Sequence, residues 1–160
     1  MLKRMSLYAS NRPVDAIRHW RNEGVLVLNA PYQRGDVWGK KRRVNLIRSV
    51  ILGVPIPSIV INDRMKAGWK KNDFSIIVID GKQRITSILM FLDSELEVPG
   101  DWFGMTEDVV TFDKLPIVNQ RMFKSATLSF SEGALPSLKM EREVFDLVNF
   151  GGVPQGESDE

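Results

Sequence analysis

The run Ser75-Ile76-Ile77-Val78-Ile79, followed at once by Asp80-Gly81 and then by apolar residues at helical spacing, constrains this chain more than any other feature. Four successive β-branched residues read as a strand buried on both faces. Ile85, Ile88, Leu89 and Leu92 recur at one helical face. Only Asp80-Gly81 and three long polar residues, Lys82, Gln83 and Arg84, separate the two patterns. A buried strand must hand over directly to a packed helix, which calls for helices layered against a sheet.

The rest of the chain alternates in the same way. Asn11-Arg12-Pro13 predicts a helix start, with Asn11 or Arg12 near the N-cap and Pro13 in the first turn. Val14, Ile17 and Trp20 form its apolar stripe, and Gly24 ends it. Val25 to Leu28 reads as a short strand. Lys40 to Leu52 is an amphipathic helix with Val44, Ile47, Val50 and Ile51 on one face and Gly53 just past its end. Pro55 and Pro57 force an extended lead into a strand over Ser58 to Ile61. Arg64 to Asp73 is a polar turn, and Pro99 to Asp108 is irregular, anchored by Trp102 and Phe103. Pro116 to Lys124 is a short helix and Thr127 to Phe130 a strand. A last helix runs from Pro136-Ser137 to Asn149 and stops at Gly151-Gly152. The expected fold class is α/β, of α+β type: one compact domain over 1–156 with a small mixed sheet flanked by helices, then an acidic tail over 157–160. The strand order is not readable from these patterns.

With 160 residues, one domain suffices, and a chain of this size buries roughly 70% of its unfolded surface. The sequence has no cysteine, which excludes thiol catalysis, disulfides and thiolate metal sites. The basic N-terminus lacks the continuous apolar core of a secretory signal. No apolar run approaches the ~20 residues needed to cross a bilayer, so the expectation is a cytoplasmic protein with no membrane partner. Charge is unevenly spread. Residues 1–50 carry 11 Lys and Arg against 3 Asp and Glu, a net +8; the remainder nets −6, 11 against 17. A basic front third suits a polyanion such as DNA or a nucleotide, whereas the alternative is a surface whose charges intermix in three dimensions. Lys40, Lys41, Arg42 and Arg43 are the densest basic group, and they oppose the dipole of the helix they begin. They are the candidate DNA contacts; a merely solvated face is the other reading.

The strand–helix junction is the candidate site. The first N–H groups of a helix lack helical partners and favour an anion. Gly81 lets a ligand approach the backbone. Lys82 and Arg84 add charge, and an arginine can grip phosphate with two parallel hydrogen bonds. Asp80 would repel a bare phosphate, so it needs a separate role: ligating Mg²⁺, positioning water, holding Arg84, or simply capping the helix. A second polar cluster, Tyr32-Gln33-Arg34-Gly35-Asp36-Val37-Trp38, either reaches a second phosphate through Arg34 or only anchors a loop by Tyr32 and Trp38 while Arg34 pairs with Asp36. His19, the one histidine, sits beside Trp20 on a basic helix and reads as surface or packing.

These clusters occur in a telling order. Pro31-Tyr32-Gln33-Arg34 and Trp38 precede Leu46-Ile47-Arg48-Ser49-Val50-Ile51-Leu52-Gly53-Val54-Pro55-Ile56-Pro57. Val78-Ile79-Asp80-Gly81-Lys82-Gln83-Arg84-Ile85 follows, and later Val144-Phe145-Asp146-Leu147-Val148-Asn149-Phe150-Gly151-Gly152-Val153-Pro154. Over residues 25–155 the chain resembles the N-terminal domain of GmrSD-type restriction enzymes, within the ParB/sulfiredoxin superfamily. That family carries a Tyr-Gln-Arg motif followed by Trp, a segment ending Pro-Ile-Pro, an Ile-Asp-Gly-Gln-Gln-Arg motif and a late Gly-Gly loop. Two positions depart from its pattern: Lys82 replaces a Gln and adds a charge, and Asp146 stands where relatives often have Arg.

The resemblance implies a compact fold that binds a nucleotide or nucleic-acid phosphate at the Asp-Gly-x-Gln-Arg turn, with Tyr32, Gln33, Arg34, Asp80, Gly81, Gln83 and Arg84 carried over. It implies nucleoside-triphosphate hydrolysis linked to DNA cleavage, in a bacterial or phage-infected cell. Relatives continue into an HNH-type nuclease domain, here expected from a protein partner. Sulfiredoxin chemistry is excluded, since its essential cysteine has no counterpart. The leading expectation is a hydrolase acting on a nucleoside triphosphate or a DNA phosphodiester. Asp80, Gln83 and Arg84 would be its catalytic residues, Tyr32, Gln33, Arg34, Gly81, Lys82 and Arg84 would bind phosphate, and Mg²⁺ would be held at Asp80. The alternative is a non-catalytic DNA-binding or regulatory module that acts on DNA or on a restriction-type partner.

Overall fold

The computed structural model describes residues 1–33, 37–70 and 72–151. Arg34, Gly35, Asp36 and the late Gly152-Val153-Pro154, with the tail, lie outside the described residues. The sheet follows the order β1 (Leu7–Pro13), β7 (Thr127–Gly133), β3 (Ile59–Asp63), β4 (Ile76–Asp80), β2 (Leu26–Val27). It is mixed, as expected of an α+β fold. β1 runs antiparallel to β7, β7 parallel to β3, β3 antiparallel to β4, and β4 parallel to β2. A two-residue pair, β5 (Val98–Pro99) with β6 (Val109–Val110), lies apart.

Alternation along β3 and β4 explains why residues 59–61 and 76–79 are apolar without a break. Ile59, Ile61, Ile76 and Val78 face one core, shared with α1 (Val14–Asn22), α2 (Lys40–Leu52), α3 (Lys82–Leu92) and α4 (Ile117–Ser125). Val60, Ile77 and Ile79 face a second core, shared with α5 (Leu138–Phe150) and the loop residues Ala30 and Tyr32. Both faces of each central strand are therefore covered, and an alternating polar pattern would leave polar groups in one core or the other.

Three sequence expectations need correction. Asn11 and Arg12 do not cap a helix. They belong to β1, paired with Ser129 and Leu128, and α1 starts after Pro13. The helix after Gly81 begins at Lys82 rather than Ile85, so the three polar residues form its first turn. Arg43 is not on the solvated face of α2 with Lys40, Lys41 and Arg42: it is buried, while those three are exposed. Its position puts it on the inner face, between Lys40 and Leu46-Ile47, where α2 packs on α3.

Two buried carboxylates tie the layers together. Glu132 on β7 receives paired hydrogen bonds from Arg12 Nε at 2.8 Å and Nη2 at 2.7 Å, with Ser10 also donating. Glu141 on α5, fully buried, receives Arg64 Nε at 3.0 Å, Arg64 Nη2 at 2.9 Å and Asn62 Nδ2 at 2.8 Å. Such two-pronged pairing supplies the partners that a carboxylate loses with its water. Among the described residues no helix is long and apolar enough to cross a membrane.

Candidate phosphate site

β4 delivers Asp80 to the sheet's edge, and the chain turns into α3 through Gly81, at φ +109° and ψ 13°. That backbone is one L side chains rarely adopt. A Cβ on Gly81 would also sit 3.2 Å from Ile59 Cγ1 and Cγ2 and 3.3 Å from Arg84 Nη2. Glycine is thus required twice over. The first helical bond runs from Ile85 N to Gly81 O at 2.9 Å. The N–H groups of Lys82, Gln83 and Arg84 precede it and lack helical acceptors.

An open cavity of about 510 Å³ lies against this turn. Gln33, Trp38 and Arg42 line it from the preceding loop and α2, Asp80 to Arg84 from the junction, and Phe145 and Asn149 from α5. The two polar clusters of the sequence, nearly fifty residues apart, meet here. Among the described lining residues, three cations, Arg42, Lys82 and Arg84, accompany one carboxylate, Asp80. Arg42 stacks over the Trp38 ring at 4.3 Å from guanidinium carbon to centroid. Lys82 Nζ donates to Asn29 Oδ1 at 2.8 Å on the exposed rim.

Arg84 Nη2 donates to Asp80 Oδ2 and to Ser58 O, both at 3.1 Å, while Arg84 Nε is buried with no partner among the described residues. Of the roles open to Asp80, the one seen is holding Arg84. Mg²⁺ was an expectation for this carboxylate. Among the described residues, Asp80 is the one carboxylate lining the cavity, one of its oxygens is taken by Arg84, and no group of three metal-ligating side chains occurs. The described residues offer Mg²⁺ one free carboxylate oxygen, that of Asp80, and the rest of an octahedral shell would come from water or a phosphate ligand.

The loop residues divide. Tyr32 is buried, its ring 5.3 Å from that of Phe145 and its hydroxyl donating to Glu141 Oε2 at 3.4 Å. Burial, then the Glu141 carboxylate, push its phenol above the ordinary value. It anchors the loop, as one sequence reading had it. Gln33 Nε2 donates to Val78 O at 2.6 Å and Ile79 O at 2.9 Å, bracing β4 past the end of β2. Trp38 N donates to Gln83 Oε1 at 3.3 Å, joining the loop to α3.

Arg43 is the residue that sequence reasoning placed wrongly. Its Nη2 donates to Gln83 Oε1 at 2.8 Å, and its Nη1 to Ser87 Oγ at 2.9 Å and Gln83 O at 3.4 Å. Burial lowers its guanidinium pKa from the ordinary value. Phe145 and Asn149 were not among the expected site residues. Their i,i+4 spacing on α5, at the end of its apolar stripe, is the signal that could have found them.

The chain is thus an α+β domain with a cationic cleft at a strand–helix junction. The chain belongs to the family of the GmrSD restriction endonuclease N-terminal domain, whose model matches residues 17–159. No curated protein and no solved structure matches the chain.

Proposed function

We propose that this protein is a DNA-acting domain of the restriction type whose cleft binds the phosphate chain of a nucleoside triphosphate and promotes its hydrolysis. One observation carries the reading: among the described residues, three cations and the N–H groups that open α3 without an acceptor converge on a cleft lined by one carboxylate. Backbone N–H groups at a helix start bind phosphate oxygens without a sequence-specific side chain. Arg84 and Arg42 would neutralise charge that develops as the terminal phosphoryl group transfers. Asp80 Oδ1 accepts no hydrogen bond from a described residue, so it is the atom that would orient the attacking water and take its proton.

Family membership favours DNA as the polymer on which this acts. Lys40, Lys41 and Arg42 are exposed beside the cleft and suit a phosphate backbone. Binding without turnover is the second reading, and the Asp80–Arg84 pair favours it, because it gives the carboxylate a structural role in holding Arg84.

Phosphate release decides between them. Purified protein is incubated with each nucleoside triphosphate, with Mg²⁺ or with chelator, with and without DNA, beside Asp80→Asn and Arg84→Lys. Release by the wild type that falls by ~10²-fold or more in Asp80→Asn, with nucleotide binding retained, supports hydrolysis. Nucleotide binding with no release under any condition leaves the non-catalytic module.

A further inference from the structure

Gln83 is the residue whose chemistry the tertiary structure determines most sharply. Its carboxamide has one acceptor atom and one donor group, and either could face the cleft. Arg43 Nη2 and Trp38 N both contact the same atom, at 2.8 and 3.3 Å. Each of those groups can only donate, so the atom between them is the oxygen. The amide NH₂ is left for the cleft, where Gln83 forms part of the wall, and it bonds to no described residue.

Arg43 itself has few alternatives. It is buried, and no carboxylate among the described residues pairs with it. Ser87 Oγ accepts from Nη1 while donating to Gln83 O at 2.7 Å, so the guanidinium is held at two points on α3. A cation on the carboxamide oxygen draws electron density from the amide nitrogen and strengthens its N–H groups as donors.

We infer that Gln83 serves the cleft as a hydrogen-bond donor to an ionised phosphate chain, and that Arg43 is the positioning residue that holds it in that sense. This rests on the phosphate-binding reading above. The amide joins the N–H groups of Lys82, Gln83 and Arg84 in an array that offers donors and no acceptor. Gln83 therefore cannot take a proton from water. The ligand class selected is a polyanion with free oxyanion edges, a triphosphate rather than a neutral or singly charged group.

Gln83→Glu separates the two halves of the side chain. One carboxylate oxygen still receives Arg43, and the other replaces the donor by an acceptor. Titration calorimetry with inorganic tripolyphosphate on the full chain should show at least about tenfold weaker binding, with a Tm no lower than wild type. Arg43→Lys keeps the charge but cannot span Gln83 and Ser87, and should weaken binding several-fold. The double variant should bind no more than twofold more weakly than Gln83→Glu alone, since an orienting residue has nothing left to orient. Gln83→Glu binding within twofold of wild type, or losses that multiply in the double variant, would overturn the inference while leaving the phosphate site intact. Tripolyphosphate that fails to bind the wild type overturns both. If Gln83→Glu does not fold, Gln83→Met deletes the donor together with the oxygen that receives Arg43, and weaker tripolyphosphate binding is again expected, now with a lower Tm.

Discussion

Gly81→Ala tests the geometry on which the site depends. Two separate costs can be worked out. The residue sits at φ +109°, in the left-handed region, and such backbones cost a side-chain-bearing residue about 1–3 kcal/mol. The new methyl would lie 3.2 Å from two carbons of Ile59, which is fully buried and cannot swing aside. Overpacking of this kind costs about 1–3 kcal/mol. Their lower and middle ranges sum to about 2–4 kcal/mol, or a Tm lowered by about 4–16 °C for a domain of this size. Gly39→Ala is the matched control. It lines the same cleft at φ −75° with nothing within 4 Å of its Cβ, and because it is the N-cap of α2, where Ala is poorer than Gly, it should cost no more than about 1 kcal/mol. Urea denaturation gives both numbers from the midpoints at constant slope. A Gly81→Ala midpoint indistinguishable from that of Gly39→Ala would refute the turn as described, and with it the approach of any phosphate to the backbone there.

Two further outcomes follow from the charge arrangement. Burial alone would raise the pKa of Glu132, but hydrogen bonds from Arg12 and Ser10 more than offset it, so the carboxyl titrates below its ordinary 4.5. A depressed folded-state pKa contributes stability that is present above the unfolded value and lost as pH falls through the folded one. Glu132→Gln should therefore cost about 1–3 kcal/mol at neutral pH, discounted because Arg12 is one-third exposed, and should flatten the decline in urea midpoint below about pH 4.5; an unchanged acid slope would contradict it. Changing Lys40, Lys41 and Arg42 together to Ala, with Arg43 kept, should weaken DNA binding and reduce the slope of log K against log salt by about 2–3. Equal slopes would reduce that helix turn to a solvated surface.

Local pattern carried much of the architecture. The strand at Ile76–Asp80, the helix at Lys40–Leu52 and the last helix were legible because each follows a simple period with a recognisable stop. β1 was not. Tyr8, Ala9, Asn11 and Pro13 are exposed, so no apolar alternation marks it, and its pairing of Leu7 with Gly133 spans most of the chain. A strand of that kind forms only because β7 already offers an edge.

The candidate site divides along the same line. Sequence alone determined that Asp80-Gly81-Lys82-Gln83-Arg84 would sit where a buried strand meets a helix, since β-branched residues and helical spacing abut there. Tertiary structure decided which side chains line the cleft at that turn. Tyr32, polar by type, went into the second core against Phe145, and Arg43, one of four consecutive basic residues, turned inward to Gln83. The reason is angular. Successive residues on a helix point about 100° apart, so four adjacent charges cannot share one face, and only the packing of α2 on α3 chooses which of them is buried.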